Sequence, residues 1–78
     1  MTKAFVLLNT NLGSESEVQD QLENVQGIVG VYQVYGVYDF IIEIEAASPH
    51  NLKEIVFSKI RTLKDVRSTL TLSEVALS

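Results

Sequence analysis

Val34-Tyr35-Gly36-Val37-Tyr38-Asp39-Phe40 is the segment on which the fold turns. It lies inside an apolar tract, Ile28 to Ile44, rich in the β-branched and aromatic residues that fit a pleated surface. Gly36 interrupts the strand formers with the one residue type that takes positive φ freely, as a tight turn requires. The expectation is a hairpin, with one strand over about Val29 to Tyr35 and the next over about Tyr38 to Ala46. Asp39 sits at its mouth. A carboxylate in so apolar a setting must be solvated, paired or reserved for a ligand. The plainest of these is a turn aspartate bonded to nearby backbone N–H groups.

Side chains alternate along the second hairpin strand, so Phe40, Ile42, Ile44 and Ala46 share one face and Asp39, Ile41, Glu43 and Glu45 the other. The first set reads as core and the second as a face meeting water or another subunit. Upstream, residues 3 to 9 are apolar on both faces, which predicts a central strand. Ser14-Glu15-Ser16-Glu17 predicts a capping box at a helix whose buried stripe is Val18, Leu22 and Val25, with Gly27 placed to end it in a left-handed conformation. Downstream, Ser48 and Pro49 are expected to cap and begin a second helix with an apolar stripe of Leu52, Ile55, Val56, Ile60 and Leu63. After a turn at Lys64-Asp65, a last strand runs from about Val66 to Leu77. In it Leu70 and Leu72 are expected to join Phe40, Ile42 and Ile44 beneath the helices. Thr69 and Thr71 then fall on a wet face or at a subunit contact.

The element order is β-α-β-β-α-β. Right-handed crossovers put both helices on one side of a four-stranded antiparallel sheet, giving an α+β, ferredoxin-like sandwich as a single domain over residues 1–78. The opposite sheet face, lined by Ile41 and neighbours from the first strand, is bare and is the natural dimer surface.

A 78-residue chain buries only a little over roughly 60% of its unfolded surface, and without cysteine it has no disulfide to compensate. With 46% of its residues apolar, some of that surface is expected to meet a partner. The net charge is −4, and Lys3, Lys53, Lys59, Arg61, Lys64 and Arg67 are interleaved with acids, so no stripe tracks phosphates and direct nucleic-acid binding is not expected. The sequence holds neither a membrane-spanning run nor a secretory signal, which suggests a cytoplasmic protein.

Catalysis has little support. The single histidine, His50, falls in the first turn of the second helix as a solvated surface residue, and Ser14 and Ser48 are explained as caps. Glu43 and Glu45 share a strand face as many solvent-facing pairs do, and no glycine loop is spaced to cradle a phosphate. No cofactor is implied. Tyr32, Tyr35 and Tyr38 cluster at the hairpin, either as cross-strand aromatic packing, expected for at least two of them, or with one lining a pocket.

Gly36-Val37-Tyr38-Asp39-Phe40 followed after a helix by Val66-Arg67-Ser68-Thr69-Leu70-Thr71-Leu72 resembles the C-terminal effector (RAM or SAM) domain of the Lrp/AsnC family of transcription regulators, across essentially the whole chain. That family carries a Gly-x-Tyr-Asp hairpin and a Val-x-x-Thr-x-Thr strand. The helix-turn-helix domain that precedes the module in the family is absent, so the chain is expected to be a stand-alone version. The usual Pro-Gly-Val turns read here as Gln26-Gly27-Ile28 and Lys64-Asp65-Val66.

The resemblance implies homodimers that join through their sheets and assemble into octamer-like rings, with an amino acid or related small metabolite bound at contacts between dimers. It implies a site lined by Gly36, Tyr38, Asp39, Thr69 and Thr71, with Tyr35 beside them. In it Asp39 pairs with an α-ammonium, and backbone N–H groups around Gly36 hold the carboxylate. The expected function is non-enzymatic sensing that modulates transcription or a partner protein through assembly, in which full-length Lrp/AsnC relatives are one class of partner. Two other readings stand beside it: a small dimeric α/β-barrel enzyme of monooxygenase type, and a purely structural oligomerisation domain.

Overall fold

The computed structural model describes residues 1–73. Its elements are β1 (Thr2–Thr10), α1 (Glu15–Glu23), β2 (Ile28–Gln33), β3 (Phe40–Ala46), α2 (Pro49–Ile55, continued by a π-helical turn Val56–Ile60) and β4 (Val66–Ser73). The expected continuation of β4 to Leu77 lies outside the described residues. All pairings are antiparallel, in the order β2-β3-β1-β4, and the β-α-β-β-α-β succession makes this a ferredoxin-like sandwich.

The core lies between the helices and one sheet face. Ala4, Val6 and Leu8 of β1 alternate into it, as do Phe40, Ile42, Ile44 and Ala46 of β3. Val18 and Leu22 of α1 and Leu52, Val56 and Ile60 of the second helix cover them. Burying a side chain of this size contributes about 1.5–3 kcal/mol each, which is how so short a chain holds together. The π-helical turn, closed by Arg61 N–H donating to the Val56 carbonyl at 2.9 Å, widens the helix and keeps both Val56 and Ile60 on the sheet. Ser48 caps as expected: its backbone is extended (φ −155°, ψ 163°) and its Oγ accepts from Asn51 N–H at 3.1 Å.

The structure corrects several expectations. Ser14 occupies the N-cap of α1, but its backbone (φ −102°, ψ 8°) does not aim the hydroxyl at the first turn, and no side-chain cap bond forms. Gly27 has the expected positive φ of 102°, yet α1 has already closed at Asn24, so the glycine serves the turn into β2. The hairpin is wider than two residues. The strands stop at Gln33 and resume at Phe40, leaving residues 34–39 as a loop closed by Val34 N–H donating to the Asp39 carbonyl at 2.9 Å. Its width follows from Asp39, whose N–H is drawn instead to the Leu8 carbonyl of β1 at 3.0 Å.

The largest correction concerns β4. Leu70 pairs with Leu7 and Leu72 with Phe5, whereas Thr69 pairs with Leu8 and Thr71 with Val6. The leucines therefore lie on the helix-free face, 45% and 50% exposed, and the threonines on the helix side. Period-two alternation separates two sets of side chains without saying which set faces the core. Register against β1 decides it. One row across the open face reads Tyr32, Ile41, Leu7, Leu70, and the next Gly30, Glu43, Phe5, Leu72.

Candidate functional site

Asp39 ties the loop to the end of β1. Its Oδ2 accepts from the Thr10 backbone N–H at 2.8 Å and from Thr10 Oγ1 at 3.4 Å. With both its main-chain groups also engaged, the residue fastens the loop at its base while the tip stays free. Tyr35 and Val37 at the tip are fully or almost fully exposed. Gly36 has φ +138° and open space where a Cβ would stand. Among the described hydrogen bonds none involves Oδ1 of Asp39. The carboxylate is thus oriented by its own chain through one oxygen and borders a cleft of about 470 Å³, which Asn9, Glu15, Val37, Arg67 and Ser68 also line.

Thr69 and Thr71 do not share that cleft. They line a neighbouring one of about 530 Å³, beside Arg61, Arg67 and Ser68. The two clefts meet at Arg67 and Ser68. Of the expected site residues, the structure gathers Tyr35, Gly36, Tyr38 and Asp39 on one loop, with Tyr38 half-buried, and sets Thr69 and Thr71 on the far side of β1. Within one protomer they form no single enclosed pocket. Tyr35 takes no part in the aromatic packing expected of the tyrosines, being fully exposed, and Tyr32 lies opposite Ile41 with its ring over Gly30.

Two residues and one irregularity of the sheet were not foreseen. Thr10 supplies the donors that hold Asp39, and Asn9 Nδ2 donates to Ser68 Oγ at 3.2 Å across the β1–β4 pair. Arg67 is the extra residue of a β-bulge, because Asn9 pairs with Ser68 while Thr10 pairs with Val66. The only signal for the first in the sequence is a hydroxyl residue at a strand end. The bulge has none, because it exists only in the pairing of distant strands. Among the described residues no group of three or more His, Asp or Glu side chains comes together, and no helix is long and apolar enough to cross a membrane.

Comparison with known proteins bears on the family and the fold. Residues 3–76 match the family model described as the Lrp/AsnC ligand binding domain. An uncharacterized HTH-type transcriptional regulator of Pyrococcus furiosus is 32% identical over 74 residues, which is 91% of this chain and 49% of the regulator. The chain thus spans about half the length of that curated relative. The crystal structure of FFRP-DM1 superposes with a TM-score of 0.92 at 32% identity, covering 96% of this chain and 100% of the other. A homocitrate synthase of Sulfurisphaera tokodaii is 37% identical over 54 residues, 69% of this chain but 12% of the enzyme.

Proposed function

Because the chain belongs to the Lrp/AsnC family, matching its ligand-binding domain over residues 3–76, we propose that it is a non-enzymatic sensor of an amino acid or related small metabolite that acts by assembling with copies of itself. The observation that carries this reading is the loop of residues 34–39. It is held firmly at its base through Asp39 and Thr10, and it presents a bare glycine and an unpacked tyrosine to its surroundings. In this reading Oδ1 of Asp39 takes the α-ammonium, N–H groups around Gly36 take the α-carboxylate, and Tyr35, Tyr38, Thr69 and Thr71 complete a site built from more than one protomer. The separation of the threonines from the loop within one chain favours a shared site over an internal one.

The leucines of β4 support the assembly. A monomer that turns Leu70 and Leu72 outward beside Phe5, Leu7 and Ile41, and threonines toward its helices, gains most if a second copy covers the open sheet. Dimers joined by that face would then pack into an octamer-like ring through the loops. Full-length family relatives could use the same face, placing the module in the cytoplasm beside DNA that it does not itself contact. A ligand bound at a seam shifts the population toward the assembly that contains the seam. An enzyme on this fold would need working groups between helices and sheet. Val6, Leu8, Phe40, Ile42, Ile44 and Ile60 fill that space instead. The match to a small part of a homocitrate synthase favours one variation, in which such a module regulates an enzyme rather than a promoter.

A thermal-shift panel of the twenty amino acids on the whole chain tests the reading. A binder at 100 times its dissociation constant adds about 2.7 kcal/mol of stability. Failure of every amino acid to raise the melting temperature would defeat amino-acid sensing.

A further inference from the structure

Arg67 occupies the bulged position of β4, the one residue between Val66 and Ser68 without a partner in β1. It lines both clefts at once. The cleft on the loop side is lined by two acids, Asp39 and Glu15. The one on the threonine side is lined by Arg61 and Arg67 and, among the described residues, by no acid. On a chain of net charge −4, that is a local reversal of sign. Arg61 is engaged, its guanidinium lying 5.0 Å from the centre of the Phe57 ring. Arg67 pairs with no carboxylate among the described residues, where the single ion pair joins Lys3 to Glu43.

From this juxtaposition we infer that Arg67 makes the effector site selective for amino acids whose side chain ends in a carboxylate. The inference rests on the sensing reading above. There the α-ammonium meets Asp39 and the α-carboxylate meets the loop N–H groups, leaving the side chain to run toward β4. Phe40 and Thr69 both pair with Leu8, from opposite sides, so the loop end and the threonine cleft stand two strand spacings apart, about 10 Å. Arg67 borders both clefts. Its planar fork matches a carboxylate through two parallel hydrogen bonds, and an amide in the same place offers only one acceptor oxygen.

Titration calorimetry on the whole chain with aspartate, glutamate, asparagine and glutamine decides the matter. One acid should bind about tenfold or more tighter than its own amide, as a charge-assisted contact implies. Arg67→Gln should collapse that ratio to near one, and Arg67→Lys should restore part of it. Arg67 is exposed, so the unliganded melting temperature of either variant should stay close to that of the parent. Equal binding of acid and amide, or an acid preference that survives Arg67→Gln, overturns the assignment of Arg67 and leaves the sensing reading standing. If no amino acid of any kind binds, the sensing reading fails and the assignment fails with it.

Discussion

Replacing Asp39 by alanine or by asparagine separates two roles that one carboxylate combines. Its Oδ2 accepts the Thr10 N–H at 2.8 Å, and Thr10 is only 5% exposed, so water cannot easily replace the lost acceptor. Asp39→Ala leaves a buried backbone donor unpaired, a cost of about 1–3 kcal/mol. Taking about 2 kcal/mol as central, and about 4–8 °C per kcal/mol for a domain of this size, the melting temperature should fall by about 8–16 °C. Asp39→Asn keeps an oxygen acceptor for the same N–H and should cost less than about 1 kcal/mol. Both variants lose the negative charge, so both should lose the response to an amino acid. Denaturant and thermal melts, each with and without ligand, read the two effects independently. An alanine variant as stable as the parent would refute the claim that Asp39 fastens the loop. An asparagine variant with full ligand response would refute the claim that its charge meets an ammonium.

Other substitutions test the fold and the assembly. Gly27→Ala should cost about 1–2 kcal/mol in chemical denaturation, because φ is +102° and the new Cβ would stand 2.9 Å from Ile55 Cδ1. Gly36→Ala, with open space around it, should cost about 1 kcal/mol from backbone conformation alone. Ser48→Ala should lose about 1 kcal/mol with its cap, whereas Ser14→Ala, whose hydroxyl caps nothing, should stay within about 0.5 kcal/mol by the same melts. Leu70→Asp should leave the far-ultraviolet circular dichroism intact while weakening self-association at least about 100-fold in sedimentation velocity, since it puts a charge at the β4 end of the apolar open-face row. Unchanged association would show that the copies meet elsewhere.

What the chain reveals in advance and what it conceals divide by distance along the sequence. The alternation of Phe40, Ile42, Ile44 and Ala46, the Ser48 cap and the positive φ at Gly27 and Gly36 are local matters, decided within a few residues, and all could be read directly. The faces of β4, the width of the loop and the bulge at Arg67 depend on β1, more than fifty residues away from β4 in the chain. No periodicity in Val66 to Leu72 distinguishes leucines beneath helices from leucines on an open sheet. Asp39 was legible as a carboxylate out of place, but its Thr10 partner was not, because the bond joins two strands that meet only in the folded sheet. The capping box at Ser14 failed for a different reason: the residue pattern was present, but the backbone angle that would aim the hydroxyl was not.

The decisive experiment is a crystal structure of the chain with its tightest-binding amino acid. The ligand's ammonium should lie within hydrogen-bonding distance of Asp39 Oδ1, its carboxylate on N–H groups beside Gly36, with contacts to it from two protomers. A ligand seated inside one protomer away from residues 34–39, with Asp39 bonded only to its own Thr10, would contradict it.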